Sequence, residues 1–292
     1  MKILKIAVAG IFLVSGSVLN AQNDVMEYNS NPTPYDGHAF VTHHDYQNRV
    51  LDYSFVREDD VLWSKTYIQR IDLRQRKNHP LYFPQYPVKL GSGQVRCNLA
   101  DNLLKAIMED GSIKAYENEY FDEEKTIAEI QKQLFSITED EYEDLDTGEL
   151  IKELDTVKVE SKDIKELLIV EDRFFDKKRS VMDVRILGIC PVAEIMNNDT
   201  YEMEKVKLFW VWFPEARQVL ANSTVYNVNN SMERLTYDEF FQKRMFASVI
   251  TKESNLYDRE IYEYKKDRMH QLLEADRIKN DIRNMESDLW EY

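Results

Sequence analysis

Residues 169–192 read IVEDRFFDKKRSVMDVRILGICPV, and this stretch decides the fold. Its second half alternates apolar and other residues with the two-residue period of a β-strand. The apolar members of that alternation are Met182, Val184 and Ile186. The polar run at 176–180, DKKRS, predicts the turn of a hairpin, so the stretch predicts two antiparallel strands.

A third strand is predicted at residues 205–213, where alternation returns. Val206, Leu208, Trp210 and Trp212 share one face of this segment. Pro214 is expected to end it, because proline cannot donate a hydrogen bond to a sheet. A small antiparallel sheet of about three strands is the simplest arrangement of these segments.

Helical periodicity predicts several amphipathic helices around this sheet. The predicted helices cover residues 57–76, 98–108, 123–135, 236–250 and 254–292. The last one is long, and its apolar stripe favours packing on its own domain over a coiled coil. Residues 139–149 hold seven acids and no base, which predicts a solvated loop. The predicted fold class is therefore α+β.

The N-terminus has the layout of a secretory signal peptide. A basic start is followed by an apolar run and by Ala21, where a peptidase could cut. We therefore predict a signal peptide at 1–21 and a polar, flexible arm at 22–56. Residues 57–292 are predicted to form a single globular α+β domain.

The composition excludes several classes of partner. The formal net charge is −15, which opposes binding to nucleic acid and to an anionic membrane surface. No later segment has the uninterrupted apolar length of a membrane span. We expect an exported protein with no nucleic-acid partner and no direct membrane insertion.

The chain contains two cysteines, Cys97 and Cys190. In an oxidising compartment they could form a disulfide, and they could equally be free buried thiols. Two cysteines cannot form a disulfide framework, and no metal-ligand spacing accompanies them.

Catalytic motifs give weak signals. His79 follows Ser64 and Asp72 in the chain, which could suggest a hydrolase triad, but no Gly-x-Ser-x-Gly elbow is present. His43, His44 and Asp45 could ligate a metal, but adjacent side chains rarely converge on one ion without a further ligand nearby. We expect no catalytic residue, no bound metal and no cofactor.

Charge is distributed unevenly along the chain. Residues 117–155 hold fifteen acids and three bases. A basic stretch earlier in the chain contains one acid, Asp72; its bases are Lys65, Arg70, Arg74, Arg76 and Lys77. The two regions could simply be solvated faces, or they could meet head to tail on neighbouring copies of the chain.

Several long strings resemble the GldN/PorN proteins of Bacteroidetes. They are Trp63-Ser64-Lys65, residues 70–74, residues 78–84, residues 174–191, residues 213–217 and residues 288–292. The resemblance covers roughly residues 57–292.

The resemblance implies a non-enzymatic structural subunit of the type IX secretion and gliding-motility apparatus. It implies a periplasmic location at the inner face of the outer membrane. The implied partners are a GldK/PorK-like lipoprotein, other copies of this chain in a ring, and the GldM/PorM-like motor subunit. A lipoprotein partner fits a signal peptide without a lipidated cysteine.

Four residues are the candidate partner contacts: Tyr82, Phe83, Arg70 and Arg74. Aromatic and arginine side chains dominate binding hot spots, although core packing is the alternative for the two aromatic residues. A periplasmic hydrolase and a small-ligand binding module remain the alternative functions, and the latter requires a preformed apolar pocket.

Overall fold

A seven-stranded antiparallel sheet lies at the centre of the structure. The structure is a computed structural model, and it describes residues 48–89, 95–143, 150–196, 203–227 and 235–290. These residues all fall in the compact unit formed by residues 46–89 and 95–292. The predicted signal peptide and residues 22–47 of the predicted arm lie outside the described residues.

The strands are β1 (Val61–Asp72), β2 (Val88–Lys89), β3 (Val95–Arg96), β4 (Ala115–Tyr116), β5 (Phe135–Glu143), β6 (Leu150–Lys158), β7 (Ile164–Asp176), β8 (Val181–Met196), β9 (Met203–Lys207), β10 (Trp210–Trp212) and β11 (Val249–Glu253). The main sheet has the order β11-β1-β7-β8-β10-β4, and β9 also pairs with β8. β2 pairs with β3, and β5 pairs with β6, in two separate small sheets.

The described part of the chain contains seven helices: α1 (His79–Tyr82), α2 (Leu99–Met108), α3 (Ile127–Leu134), α4 (Phe213–Asn222), α5 (Tyr237–Gln242), α6 (Ile261–Tyr264) and α7 (Arg268–Trp290). The α+β class predicted from the sequence is confirmed, but a sheet of about three strands was too small a prediction.

The prediction of a helix at 57–76 is wrong, because most of this segment is β1. β1 lies between β11 and β7, and its second half is buried on both faces. A strand buried on both faces has no clean alternation, so the apolar positions also fit a helical period. Its β-branched and aromatic residues favour a strand.

The β7–β8 hairpin is confirmed, with its turn between Asp176 and Val181. The predicted strand at 205–213 is two strands, since Leu208 and Phe209 interrupt it and are buried in the core. Pro214 does end the strand, and it also lies in the first turn of α4, a helix that the sequence did not predict.

The predicted helix at 98–108 is confirmed as α2, where the Asn98 side chain accepts a hydrogen bond from the Asp101 backbone N–H at 2.7 Å. The helix predicted at 123–135 is shorter. It begins only after Thr126, which forms a capping box with Glu129.

Two long predicted helices are also shorter than expected. Thr236 does cap a helix, but α5 ends at Gln242 and β11 follows it. The segment 254–292 contains α6 and the 23-residue α7. α7 packs on its own domain through Ala275, Ile278 and Ile282, which confirms the preferred interpretation of the apolar stripe.

The acidic segment at 139–149 was predicted to be a loop, which is wrong for residues 139–143. These residues belong to β5, which pairs antiparallel with β6 from Phe135 opposite Lys158 to Glu143 opposite Leu150. Residues 144–149 lie outside the described residues. The many acids made a strand difficult to recognise, because acidic residues have a low strand propensity. Pairing with another strand can override that low propensity.

The two faces of the main sheet are covered differently. Helices α2 to α5 pack on one face, where Ile71, Leu167 and Ile169 contribute to the largest apolar cluster. The other face holds a smaller cluster around Ile68 and Val170, which the aromatic ring of Phe121 covers in part. This second face therefore leaves room for open grooves.

Residues 48–57 have no regular secondary structure and lie against α4. The Asn48 side chain donates a hydrogen bond to the Ala221 carbonyl at 2.9 Å. The Arg217 guanidinium lies 4.3 Å from the centre of the Tyr53 ring, and it forms a buried ion pair with Asp238 at 3.0 Å. The chain is thus anchored just before the main sheet begins.

Candidate partner-binding surface

Arg70 and Arg74 converge on one buried carboxylate, Glu166. Strand register explains this position, because Asp72 of β1 lies directly opposite Glu166 of β7. Glu166 Oε1 lies 3.4 Å from Arg70 Nη1 and 3.6 Å from Arg74 Nη2. The Glu166 side chain is only 4% exposed, so the arginines compensate a charge that burial would otherwise penalise.

Further charges extend this network. Lys205 Nζ of β9 lies 2.7 Å from Glu166 Oε1, and Arg74 also contacts Asp72 at 3.0 Å and Glu194 at 3.5 Å. Partial burial raises the pKa of Asp72, but hydrogen bonds and charge from Arg74 outweigh it and hold the pKa below its usual value. Asp72 therefore stays ionised and holds Arg74 in place.

This network forms one side of a groove of about 600 Å³, which we call the acid-anchored groove. The other side comes from α6 and α7, with Tyr262 and Leu272 as exposed apolar residues. Lys207 Nζ lies 3.3 Å from Glu260 Oε1. Most cations here already bind an acid, so the groove has little unpaired charge.

Tyr82 and Phe83 have different environments. The Tyr82 hydroxyl donates to the Lys162 carbonyl at 2.9 Å and accepts from Lys165 Nζ at 2.9 Å. Phe83 is 43% exposed and packs edge-on against two rings, with ring centres 5.4 Å from His79 and 5.0 Å from Tyr82. These bonds hold Tyr82 in place, and Phe83 is the more exposed ring of the pair.

His79 connects the two pairs of predicted contact residues. Its Nε2 lies 3.2 Å from the Arg74 carbonyl oxygen, and its ring packs against Phe83. The structure thus brings the four predicted residues to neighbouring sites, but the arginines face the acid-anchored groove and the aromatic pair does not line it.

A second groove, which the sequence did not predict, lies beside His79. It has a volume of about 880 Å³, and among the described residues that line it five are basic and none is Asp or Glu. We call it the basic groove. These residues are Arg76, Lys77, His79, Lys243 and Arg244. The sequence signal was the Lys243-Arg244 pair, which the predicted helix at 236–250 concealed.

A buried acid holds Arg244, one of the charged residues of the basic groove. Arg244 Nη1 lies 2.8 Å from Glu171 Oε1, and Glu171 is fully buried. Arg244 has a φ of +51°, a left-handed conformation that directs the chain out of α5 and toward β11. The buried acid therefore orients this edge of the groove.

An apolar cavity of about 320 Å³ lies on the second face of the sheet, lined in part by Ile68, Phe121 and Trp212. Its charged groups bind each other: Lys252 Nζ lies 2.6 Å from both Glu119 Oε1 and Asp258 Oδ1. Because these groups are already paired, the cavity gives no support to the small-ligand alternative.

Ser64, Asp72 and His79 do not form the catalytic triad that a hydrolase would require. Ser64 donates a hydrogen bond to Asp172 at 2.8 Å, and Asp72 binds Arg74. Ser64 and Asp72 lie on the same extended strand, about 26 Å apart at about 3.3 Å per residue. In the part of the chain that the structure describes, no cluster of three or more metal-ligating side chains occurs. Residues 43–45 lie outside that part.

The two cysteines are free thiols in the structure. Cys190 is buried in β8, where burial raises its pKa to about 12. Cys97 is half-buried before α2, and burial followed by the charge of Asp101 raises its pKa. Both thiols are therefore held in the protonated, unreactive form at neutral pH.

A match to a known protein family shows where the chain belongs. The family model for "Gliding motility associated protein GldN" matches residues 56–291, which include every helix and strand of the main sheet. The chain belongs to the GldN family. None of the curated proteins matches it significantly. The GldN family is a structural component of the gliding-motility and type IX secretion machinery and is not a known enzyme family.

Membership in the GldN family implies protein partners. The two grooves and Phe83 are among the exposed surfaces of the described domain. The described residues contain no helix that has both the length and the apolarity to cross a membrane. Trp210 is buried and Trp212 packs on Phe121 at 4.8 Å, so both serve the core.

Proposed function

We propose that this GldN-family chain is a non-enzymatic structural subunit of a periplasmic ring complex. Its signal peptide, residues 1–21, would export it. It would assemble in a ring with a GldK/PorK-like outer-membrane lipoprotein and contact the GldM/PorM-like motor subunit. The family match over residues 56–291 is the observation that carries this proposal.

The surface of the described domain supports this role. Phe83, Arg70 and Arg74 combine an exposed ring with partly exposed guanidinium groups, the residue types that dominate hot spots. The hydrogen bonds of the Tyr82 hydroxyl with Lys162 and Lys165 hold the Tyr82 ring in place beside Phe83. We propose these four residues as contacts for a partner protein.

Co-purification tests the complex. A tagged full-length chain is expressed in its natural host, and membranes are gently solubilised in low salt. The expected result is a high-mass particle that contains an outer-membrane lipoprotein and many copies of this chain. Recovery of the chain as a lone monomer would contradict the proposal.

Phe83→Ala tests the contact surface. We expect about tenfold weaker binding of the partner, the effect of losing one hot-spot side chain. Phe55→Ala is the matched control, because Phe55 is also an exposed phenylalanine and lies outside the four proposed contacts. Equal effects of the two substitutions would remove Phe83 from the proposed contact.

Removal of residues 1–21 tests export. Without them the chain should stay in the cytoplasm and no particle should form at the outer membrane. Fractionation by osmotic shock, followed by immunoblotting, measures this. Normal assembly of the truncated chain would contradict the periplasmic location.

A further inference from the structure

The basic groove holds two cations, Arg76 and Lys77, that no acid of the described residues compensates. Arg76 and Lys77 are exposed and take part in no ion pair within the described residues. Lys243 has one ion-pair partner among the described residues, Glu239, at 3.8 Å. By contrast, Lys65, Arg70 and Arg74 of the same basic stretch each bind an acid at 3.4 Å or less.

The basic groove also has an apolar centre. Val225, Leu235 and Phe240 form its buried apolar wall. Tyr226 is 48% exposed and Met245 is 40% exposed, although both belong to this lining. The Arg96 guanidinium lies 5.3 Å from the centre of the Tyr226 ring and adds another cation. Apolar residues within a charged rim are the composition of a protein interface.

The β5–β6 hairpin has the complementary charge. Its two described strands, Phe135–Glu143 and Leu150–Lys158, contain six acids and two bases. Its strands pair only with each other among the described strands, and the lining of the basic groove includes no residue of the hairpin. An isolated two-stranded hairpin is marginally stable in water, so it gains stability from a docking partner.

We infer that the β5–β6 hairpin of one copy of this chain docks in the basic groove of the next copy. This rests on the proposed ring and names the contact within it. The net charge of −15 makes copies repel one another, so association requires a local match of opposite charges. Two different surfaces that bind head to tail produce a ring when the rotation closes.

Charge exchange tests the docking in the full-length chain co-expressed with its lipoprotein partner. One variant is Arg76→Glu with Lys77→Glu, and the other is Glu139→Lys with Asp140→Lys. Each alone should weaken self-association about tenfold or more, because like charges then face each other. Mixed together, they should regain wild-type assembly. The acidic groove of the first variant then meets the basic hairpin of the second, and the basic groove of the second meets the acidic hairpin of the first.

A matched control keeps the same charge change elsewhere. Lys177→Glu with Lys178→Glu alters two exposed lysines in the β7–β8 turn. This turn lies beside the Val61 end of β1, about 36 Å from the Asp72 end by strand length, and so far from Arg76. The control should assemble like wild type. Particle mass by light scattering and co-purified lipoprotein are both measured, with thermal unfolding to verify folding.

The outcomes separate this inference from the proposed function. If the groove variant keeps wild-type particle mass, or if the mixture regains none, the inference is wrong while the retained lipoprotein still supports the ring proposal. If wild type captures no lipoprotein, the ring proposal itself fails. Should a variant unfold, Arg76→Gln with Lys77→Gln replaces it, and partial loss of mass is then expected.

Discussion

The ring of Phe121 occupies the space that a side chain at Gly188 would need. A methyl group at Gly188 would lie 2.3 Å from Phe121 Cζ and 3.1 Å from the Val211 carbonyl oxygen. Phe121 has a φ of +61°, and its ring packs edge-on against Tyr116 at 5.6 Å. The loop that carries Phe121 is therefore fastened to the second face of the sheet at a position without a side chain.

Gly188→Ala should destabilise the domain by about 1–3 kcal/mol, the usual effect of overpacking a well-filled site. The free energy of unfolding in urea measures this. In a Phe121→Ala background the same change should have a smaller effect, with a coupling of about 0.5 kcal/mol or more. Equal losses in both backgrounds would show that the Phe121 contact is not the cause.

Glu166→Gln should destabilise the domain by about 1–3 kcal/mol, because it removes the charge that three cations share. Chemical denaturation measures the loss. Glu194→Gln is the matched control, since the one ion pair of Glu194 within the described residues is with Arg74 at 3.5 Å and it should contribute less. A larger effect at Glu194 than at Glu166 would contradict this account of the network.

Asp258 should contribute stability that depends on pH. The hydrogen bond from Lys252 is the main cause that lowers the Asp258 pKa in the folded state. A lowered pKa stabilises the fold above the unfolded pKa, about 4, and this contribution is lost as the pH falls through the lower folded pKa.

The stability difference between wild type and Asp258→Asn should therefore be constant near neutral pH and shrink only below about pH 4. Unfolding in urea at a series of pH values measures it. In a Lys252→Met background the pH dependence should become smaller, because only the hydrogen bond with Tyr120 then still lowers the Asp258 pKa. A difference that stays unchanged down to the lowest pH would contradict the Lys252–Asp258 interaction.

Tyr82→Phe should lower the free energy of unfolding by about 1 kcal/mol, because the hydroxyl joins the Lys162 carbonyl to Lys165. Thermal unfolding measures the change. Tyr86→Phe is the matched control, because Tyr86 is exposed and should tolerate the loss of its hydroxyl. Equal stability of wild type and Tyr82→Phe would mean that the hydroxyl's bonds to Lys162 and Lys165 do not stabilise the domain.

Cys190 should resist alkylation in the folded protein, because burial removes it from solvent and raises its pKa to about 12. Cys97 should react slowly, and both should react fully in denaturant. Mass spectrometry of maleimide-treated protein counts the modified thiols, with Cys97→Ser as the control. A non-reduced peptide that joins Cys97 to Cys190 would contradict the free-thiol state.

Local signals in the sequence predicted local structure well. The turn at 176–180 and the Asn98 cap of α2 depend on residues within a few positions of each other. β1 was mistaken for a helix because both of its faces are buried, and that burial depends on β11 and β7 far along the chain. The same local reasoning overlooked β11 and α4.

The candidate surface was predictable only in part. The sequence identified Arg70 and Arg74 as a basic stretch, but their partner Glu166 lies on another strand. It identified the aromatic pair without separating the hydrogen-bonded hydroxyl of Tyr82 from the exposed ring of Phe83. Lys243 was missed, because it joins Arg76 only when α5 folds beside α1.

The amino-acid sequence alone determined the acidic character of this protein, the β7–β8 hairpin, the α2 helix and the resemblance to the family that the match later confirmed. Only the tertiary structure decided which positive charges are neutralised and which remain open to solvent. The physical reason is that a charge is compensated by whatever lies within a few ångströms, and strand pairing brings distant residues to that distance.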